Sequence, residues 1–281
     1  MLAQRLPGIM PPLSMEQALE VTRIYSISGD SSRPAMSLQP PIRQPHHSAS
    51  DVAIIGGGSN PKPGEISKAD HGILFLDELP EHKRIVLETL RQPLEDGRVC
   101  ISRAADSAEF PARFQLVAAM NPCPCGYLGH PTKACRCSPS QIRRYIGRIS
   151  GPLLDRFDLR IHVPPVDREE LARMQAGESS ATIAKRVLAA RDRQYTRLGN
   201  GRTNARMTTE EIERFARPDA EGEKLLDSAM RRFSLSARSY HRILKVARTI
   251  ADLEQAEKVS ASHIAEALQY RGEDILESGA A

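Results

Sequence analysis

The stretch Gly72–Glu81, GILFLDELPE, decides how the chain is read. Gly72 to Leu76 is a continuous apolar run, too short for a helix and suited to a buried central strand of a parallel sheet. Asp77 and Glu78 follow directly and emerge at the carboxyl edge of that strand, where open α/β sheets bind their ligands. Two acids at such an edge suit phosphoryl transfer, the first positioning Mg²⁺ and its neighbour orienting the attacking water. Asp77 fits the first role and Glu78 the second. Taken alone, the pair also reads as an acidic start to a helix from Leu79 onward, favoured by the helix dipole.

Downstream, the pattern predicts a helix over Lys83–Gln92, a turn at Glu95–Gly97 and a hairpin through Val99 and Ile101. Phe114–Ala119 reads as a second buried strand that brings Asn121 to the same sheet edge, where its amide can hydrogen-bond a γ-phosphate or its water. GPLLDRFD, Gly151–Asp158, sets Arg156 after a short helix and before a strand over Asp158–Val163. An exposed guanidinium there suits the charge on a transferring phosphoryl group, as a rule that of a neighbouring subunit. Upstream, Met1–Pro7 and Ser14–Ser26 read as helical pieces. Residues 29–64, with repeated proline, glycine and serine and no sustained period, read as a long loop insertion. From Arg168 onward the pattern is helical, with breaks near Gly199–Asn204 and at Pro218. The domain boundary is expected near residue 165. In SLSARSYHRIL, Ser236 is a candidate N-cap and Arg238 falls in the first turn. Arginine there opposes the helix dipole, so either a nearby anion or a side chain bent to solvent accounts for it.

Length and composition bound the function. At 281 residues and 40% apolar content the chain has core material for two modest domains. Its 39 basic against 35 acidic residues are compatible with nucleic acid without demanding it. No stretch approaches about 18 consecutive apolar residues, and the first thirty lack a secretory layout, so a soluble cytoplasmic protein with no membrane partner is expected. In that compartment five cysteines argue for thiols or a metal rather than disulfides. Cys123, Cys125, Cys135 and Cys137 are spaced C-x-C, nine residues, C-x-C, which suits a tetrahedral structural zinc; four reduced thiols is the other reading. His130 could replace one thiolate. Cys100, on the expected hairpin, reads as a buried small apolar residue. His46 and His47, a pair after Pro45, read as contacts to backbone or substrate rather than metal ligands, and His71 as positional.

Several blocks in one order carry a further reading. PHHSAS (Pro45–Ser50), GGG…PKPGEIS (Gly56–Ser67), the block from His71 to Glu81, LRQPLEDG from Leu90, NPCPCG from Asn121, and GPLLDRFD together resemble the AAA+ ATPases of the magnesium-chelatase-like class, most closely their ComM/YifB branch. The resemblance implies a P-loop-type parallel-sheet α/β core over 1–165 followed by an all-α lid over 166–281. It implies Asp77 and Glu78 as Walker B, Asn121 as sensor 1, Arg156 as arginine finger and Arg238 as sensor 2, with ATP and Mg²⁺ as cofactors beside the zinc. It further implies a homo-oligomeric ring, a hexamer, passing DNA through its pore in a helicase or branch-migration role during recombination of incoming DNA.

Lys62, on the glycine-rich segment Gly56–Gly64, and Arg98 and Arg103, on the hairpin, are the cations expected to face that DNA. With 4% aromatic residues and no tryptophan, contact should be directed to the phosphate backbone. Arg186, Arg191, Arg193 and Arg197 read as a solvent- or subunit-facing surface. Two other readings are a magnesium-chelatase ATPase subunit, against which the four-cysteine segment discriminates, and a non-catalytic ring component. No G-x-x-x-x-G-K-[ST] occurs in the sequence. An upstream part bearing the phosphate loop is therefore expected to be missing, and 1–281 alone is expected to hydrolyse ATP poorly or not at all.

Overall fold

A computed structural model describes residues 3–102, 107–164, 177–199, 201–233 and 235–271. They form two compact units, one of residues up to Pro7 and Pro12–Phe157, the other of Gly8–Pro11 and residues from Asp158 onward.

In the first unit, helix α1 (Met15–Ser28) opens on a capping box in which Ser14 and Gln17 satisfy each other's backbone N–H groups. It closes on Gly29 in the left-handed conformation. Next come β1 (Ile42–Arg43), α2 (Asp51–Ile55) and a small hairpin of β2 (Gly56–Gly57) and β3 (Lys62–Pro63). The segment expected to be one loop thus holds two strands of its own hairpin, a sheet strand and a helix. Elements this short fall below any detectable period, and the prolines around them obscured the rest.

Helix α3 (Glu65–Lys68) leads into β4 (Ile73–Leu76), all four residues of which are buried. Beyond it lie α4 (Arg84–Thr89) and α5 (Arg91–Asp96). One helix was expected here. Pro93 has no N–H to offer the carbonyl of Thr89, so the helix is interrupted at Leu90. Strands β5 (Arg98–Ser102) and β6 (Ser107–Pro111) form the expected antiparallel hairpin, with Val99 opposite Phe110 and Cys100 opposite Glu109. The tip, with Arg103, lies outside the described residues. Strand β7 (Gln115–Ala118), then α6 (Pro139–Ile146) and α7 (Gly151–Leu154), complete the unit.

The three-stranded sheet is parallel, in the order β1, β4, β7, so β4 is central as its apolar run predicts. β1 reaches β4 closely because Gly72 lacks a side chain: a Cβ there would lie 1.9 Å from the Pro41 carbonyl oxygen. Leu74 and Leu76 pack with Ile54, Ile66, Leu90 and Leu153 in the core. Each such side chain contributes roughly 1.5–3 kcal/mol by leaving water.

Residues 158–163 do not form the expected strand. Leu159, Ile161 and Val163 alternate as a strand would, yet all three are exposed. No strand partners them among the described residues, and the Arg160 N–H donates instead to the Tyr270 carbonyl at 2.7 Å. In this second unit the described elements are helical: α8 (Ser180–Leu198), α9 (Thr209–Phe215), α10 (Ala220–Arg232), α11 (Ala237–Leu253) and α12 (Ala261–Gln269). The helical pattern expected from Arg168 is described only from residue 177.

The break after α8 carries a buried polar cluster. Asp252, 1% exposed, accepts from Arg248 at 3.0 Å, from Asn204 at 2.8 Å and from both Arg197 nitrogens. Arg197, expected on the surface, is therefore drawn inward. Arg186 does lie outside, paired with Glu178 at 3.0 Å.

Candidate functional site

β4 ends at Leu76, and the backbone then turns sharply. The Ala119 N–H donates to the Leu76 carbonyl at 3.0 Å, and the Leu79 N–H donates to the Ala119 carbonyl at 2.9 Å, so the ends of β4 and β7 are laced together. Asp77 and Glu78 are left exposed at this edge. Asp77 Oδ1 accepts the Glu78 N–H at 2.9 Å, and Glu78 sits in the left-handed region at φ 50° and ψ 49°. A residue continuing the strand would face away from its predecessor; the left-handed turn lets both acids lie at the edge. They introduce a short 3-10 turn, Leu79–Glu81, rather than an α-helix.

Two histidines, His47 and His82, contact the pair, and a third, His46, packs against His47. His47 Nδ1 lies 3.1 Å from Glu78 Oε2. His46 turns back on its own chain, its Nδ1 accepting from the Ser48 N–H at 3.3 Å and meeting the Ser48 hydroxyl at 2.7 Å. With the Ala49 N–H bonded to the His46 carbonyl, this fixes a tight turn that aims His47 at the acids. His82 is 4% exposed and its Nε2 lies 3.2 Å from the Asp77 carbonyl oxygen. Burial pushes its pKa down, and its Nε2–H donates to that carbonyl. Lys83 reaches Asp51 at 3.1 Å, tying the start of α2 to the same loop. Arg148 donates to the Pro80 carbonyl at 3.0 Å and to Glu81 at 2.6 Å.

Asn121 is exposed two residues beyond the β7 contact to Leu79, and its backbone hydrogen-bonds Tyr145, whose hydroxyl pKa burial raises. Arg156 departs from expectation. Its side chain is 7% exposed, held by Glu95 at 2.6 Å and by the Pro152 carbonyl, with burial lowering its pKa. Glu95 comes from α5, a partner 61 positions away that no local pattern announces. Arg238 is exposed in the first turn of α11 in the second unit, where the Ser236 hydroxyl accepts from the Ser239 N–H at 3.2 Å as an N-cap. Lys62 is exposed on β3, and Arg98 pairs with Glu109 across the hairpin at 3.2 Å. Cys100 is exposed rather than buried, with Gln92 and Glu109 beside its sulfur. The register explains this: Val99 and Ile101 take the core face, leaving residue 100 outside.

The other four cysteines converge. Their sulfurs lie within 4.8 Å of one another, with Cys123 3.4 Å from Cys125 and both 3.6 Å from Cys135. Tetrahedral zinc with bonds of about 2.3 Å requires sulfurs roughly 3.8 Å apart, so the set fits that ion. The Arg136 and Tyr127 amides pull the Cys125 thiol down to about 6, while burial pushes Cys137 up to about 12. His130 is not a member: its Nδ1 accepts from the amides of Thr132 and Lys133, both at 3.2 Å. His71 is positional, as expected. It bonds Glu20 of α1 at 2.6 Å, and Arg113 closes the same cluster with Glu20 and the buried Asp70.

Sequence reading missed His82, Arg148 and the role of His47. Only His82, five residues past Asp77, had a local signal.

Two family models match, described as magnesium chelatase, subunit ChlI, over residues 1–171, and as magnesium chelatase, subunit ChlI C-terminal, over residues 177–271. The chain belongs to this family of AAA+ proteins, in which an α/β core is joined to a C-terminal helical domain. Within it the chain is similar to an uncharacterized protein YifB of Salmonella typhimurium, 48% identical over 278 residues, covering 98% of this chain and 54% of the relative. It is 46% identical to YifB of Escherichia coli over 278 residues, 98% of this chain and 54% of the relative. It is 49% identical to the competence protein ComM of Haemophilus influenzae over 273 residues, 96% of this chain and 53% of the relative. The chain spans about half the length of the curated relatives it matches. No helix among the described residues is long and apolar enough to cross a membrane.

Proposed function

We propose that the chain supplies the metal, water and sensor groups of an ATP-driven AAA+ motor subunit that acts on DNA in the cytoplasm. The observation that carries this is the exposed Asp77–Glu78 pair at the carboxyl end of a central parallel strand. In this reading Mg²⁺ supplies charge neutralisation for the phosphates. Asp77 holds it, Glu78 orients and deprotonates the attacking water, and Asn121 binds the γ-phosphate or that water. Arg156 serves the neighbouring subunit's nucleotide, for which it must leave Glu95. Arg238, on the helical second unit, the lid, would serve as sensor 2 toward the nucleotide's phosphates. The ring would be a hexamer, with Lys62, Arg98 and Arg103 on DNA phosphates in a helicase or branch-migration role that the ComM relative's name ties to competence.

The cysteine loop would hold a structural zinc through Cys123, Cys125, Cys135 and Cys137, fixing the segment that follows Asn121. A magnesium-chelatase subunit is the reading favoured by the name of the family model, and the four-cysteine segment is the feature set against it. A non-catalytic ring component is favoured by the lack of G-x-x-x-x-G-K-[ST] in 1–281. Lysine and backbone amides for the β- and γ-phosphates supply much of the nucleotide affinity in this class.

ATP binding and turnover of 1–281, with and without DNA, beside a form extended by a phosphate-loop segment, test the reading. DNA-stimulated turnover in the extended form, abolished by Glu78→Gln, is expected. Inactivity of both forms would overturn the motor assignment.

A further inference from the structure

Residues 121–154, from Asn121 to Leu154, contain no aspartate or glutamate but carry Lys133, Arg136, Arg143, Arg144 and Arg148. At the overall frequency of acids in the chain, roughly four would fall in a stretch this long. Arg148 is paired with Glu81. The other four cations are exposed, and among the described residues none of them is paired with a carboxylate. They are mounted on fixed structure. Lys133 and Arg136 stand on the converged cysteine loop. Arg143 and Arg144 stand on the outer face of α6, whose inner face buries Ile142 and Tyr145 and whose start is locked by the Ser138–Gln141 capping box.

An aromatic ring lies among them. Tyr127 is 38% exposed, and the Lys133 ammonium sits 5.1 Å from its centroid. Cys125, Tyr127, Lys133, Ala134 and Arg136 line an open cavity of about 540 Å³.

We infer that the cysteine loop and the outer face of α6 form a single-stranded nucleic-acid surface, distinct from Lys62 and the β5–β6 hairpin. The inference rests on the DNA reading above and names a surface for it. Guanidinium forks and an ammonium suit phosphate oxygens, and an exposed tyrosine offers one base a stacking face. An acidic peptide would satisfy the cations but make no use of the ring's exposed surface, so nucleic acid is the better match. The zinc-type loop then acts twice, holding Tyr127, Lys133 and Arg136 rigidly outward while fixing Asn121 behind them.

The test is fluorescence anisotropy of 1–281 with a labelled oligo(dT) 30-mer across a salt series. Combined Lys133→Gln, Arg136→Gln, Arg143→Gln and Arg144→Gln is expected to weaken binding by more than about 10-fold and to lower the salt slope by about 3. Tyr127→Ala should cost about 10-fold with the slope unchanged. Arg143→Gln with Arg144→Gln, confined to an exposed helix face, guards against misfolding of the fuller variant and should lower the slope by about 1. Wild-type binding by the four-cation variant, with loss only in Lys62→Gln/Arg98→Gln, would overturn this surface and leave the DNA reading standing. No oligonucleotide binding by the parent chain would overturn both. Polyglutamate competing as well as oligo(dT) at equal charge would overturn the nucleic-acid assignment in favour of an acidic partner.

Discussion

His47 Nδ1 lies 3.1 Å from Glu78 Oε2, joining the turn after β1 to the second acid at the end of β4. Both side chains are well exposed, His47 at 33% and Glu78 at 53%, so the contact adds little stability. Its value is geometric. His47→Ala is expected to leave the unfolding free energy within about 0.5 kcal/mol of the parent. In a form carrying the phosphate loop it should lower the turnover number about 10-fold with the Michaelis constant for ATP unchanged. Unaltered turnover would show that Glu78 is oriented without His47.

The cysteine loop makes a metal prediction. Purified 1–281 should carry about one zinc per chain by mass spectrometry, lost in Cys123→Ser, whose side chain is fully buried in the parent. Chelation should lower the thermal midpoint of the first unit, because binding to the folded form alone contributes to its stability. Four freely titrating thiols with no bound metal would refute it.

Asp30 links pH to stability. Hydrogen bonds from Ser32 and then Lys68 hold its carboxyl well below the usual carboxylate range. A pKa depressed by folding stabilises the protein above the unfolded value near 3.8 and ceases to do so as pH falls through the lower folded value. Partial exposure limits the effect to about 1 kcal/mol. Asp30→Asn should therefore cost about that much at pH 7 and progressively less as pH falls below 3.8, with a clearly smaller cost near pH 2 in urea melts. An equal cost at both pH values would assign the effect to lost hydrogen bonds alone.

In the second unit, Asp252→Ala would strand the side chains of Arg248, 2% exposed, and Arg197, 16% exposed. Removing one partner of a buried pair costs about 3–5 kcal/mol. Differential hydrogen exchange should show the loss first in α8 and α11, which this cluster joins. Protection unchanged there would mean that solvent already reaches the arginines.

How much of this the sequence announces depends on the range of the interaction. β4 was legible because four consecutive buried residues leave an apolar run, and the β5–β6 hairpin because Val99 and Ile101 alternate about exposed positions. β1 was illegible: two residues between prolines carry no period, and Ile42 itself is 43% exposed. Residues 158–163 misled in the opposite direction, since alternation indicates a strand only where a partner supplies the ladder. At the site, the acids, Asn121 and the four cysteines could be found from neighbours in sequence. The burial of Arg156 against Glu95 and the aim of His47 at Glu78 arise between segments tens of residues apart, where no local signal exists.

The left-handed backbone at Glu78 bears on how such a site persists. A carboxylate side chain in that conformation is strained by about 1 kcal/mol relative to glycine, and asparagine would also sit there more comfortably. Folding alone would thus drive the position toward residues that cannot orient water. A library at residue 78, sorted by thermal resistance, should enrich glycine and asparagine; sorted by nucleotide turnover in the phosphate-loop form, it should return glutamate. The two sorts pulling apart would identify residue 78 as a place where robustness and reactivity are in opposition.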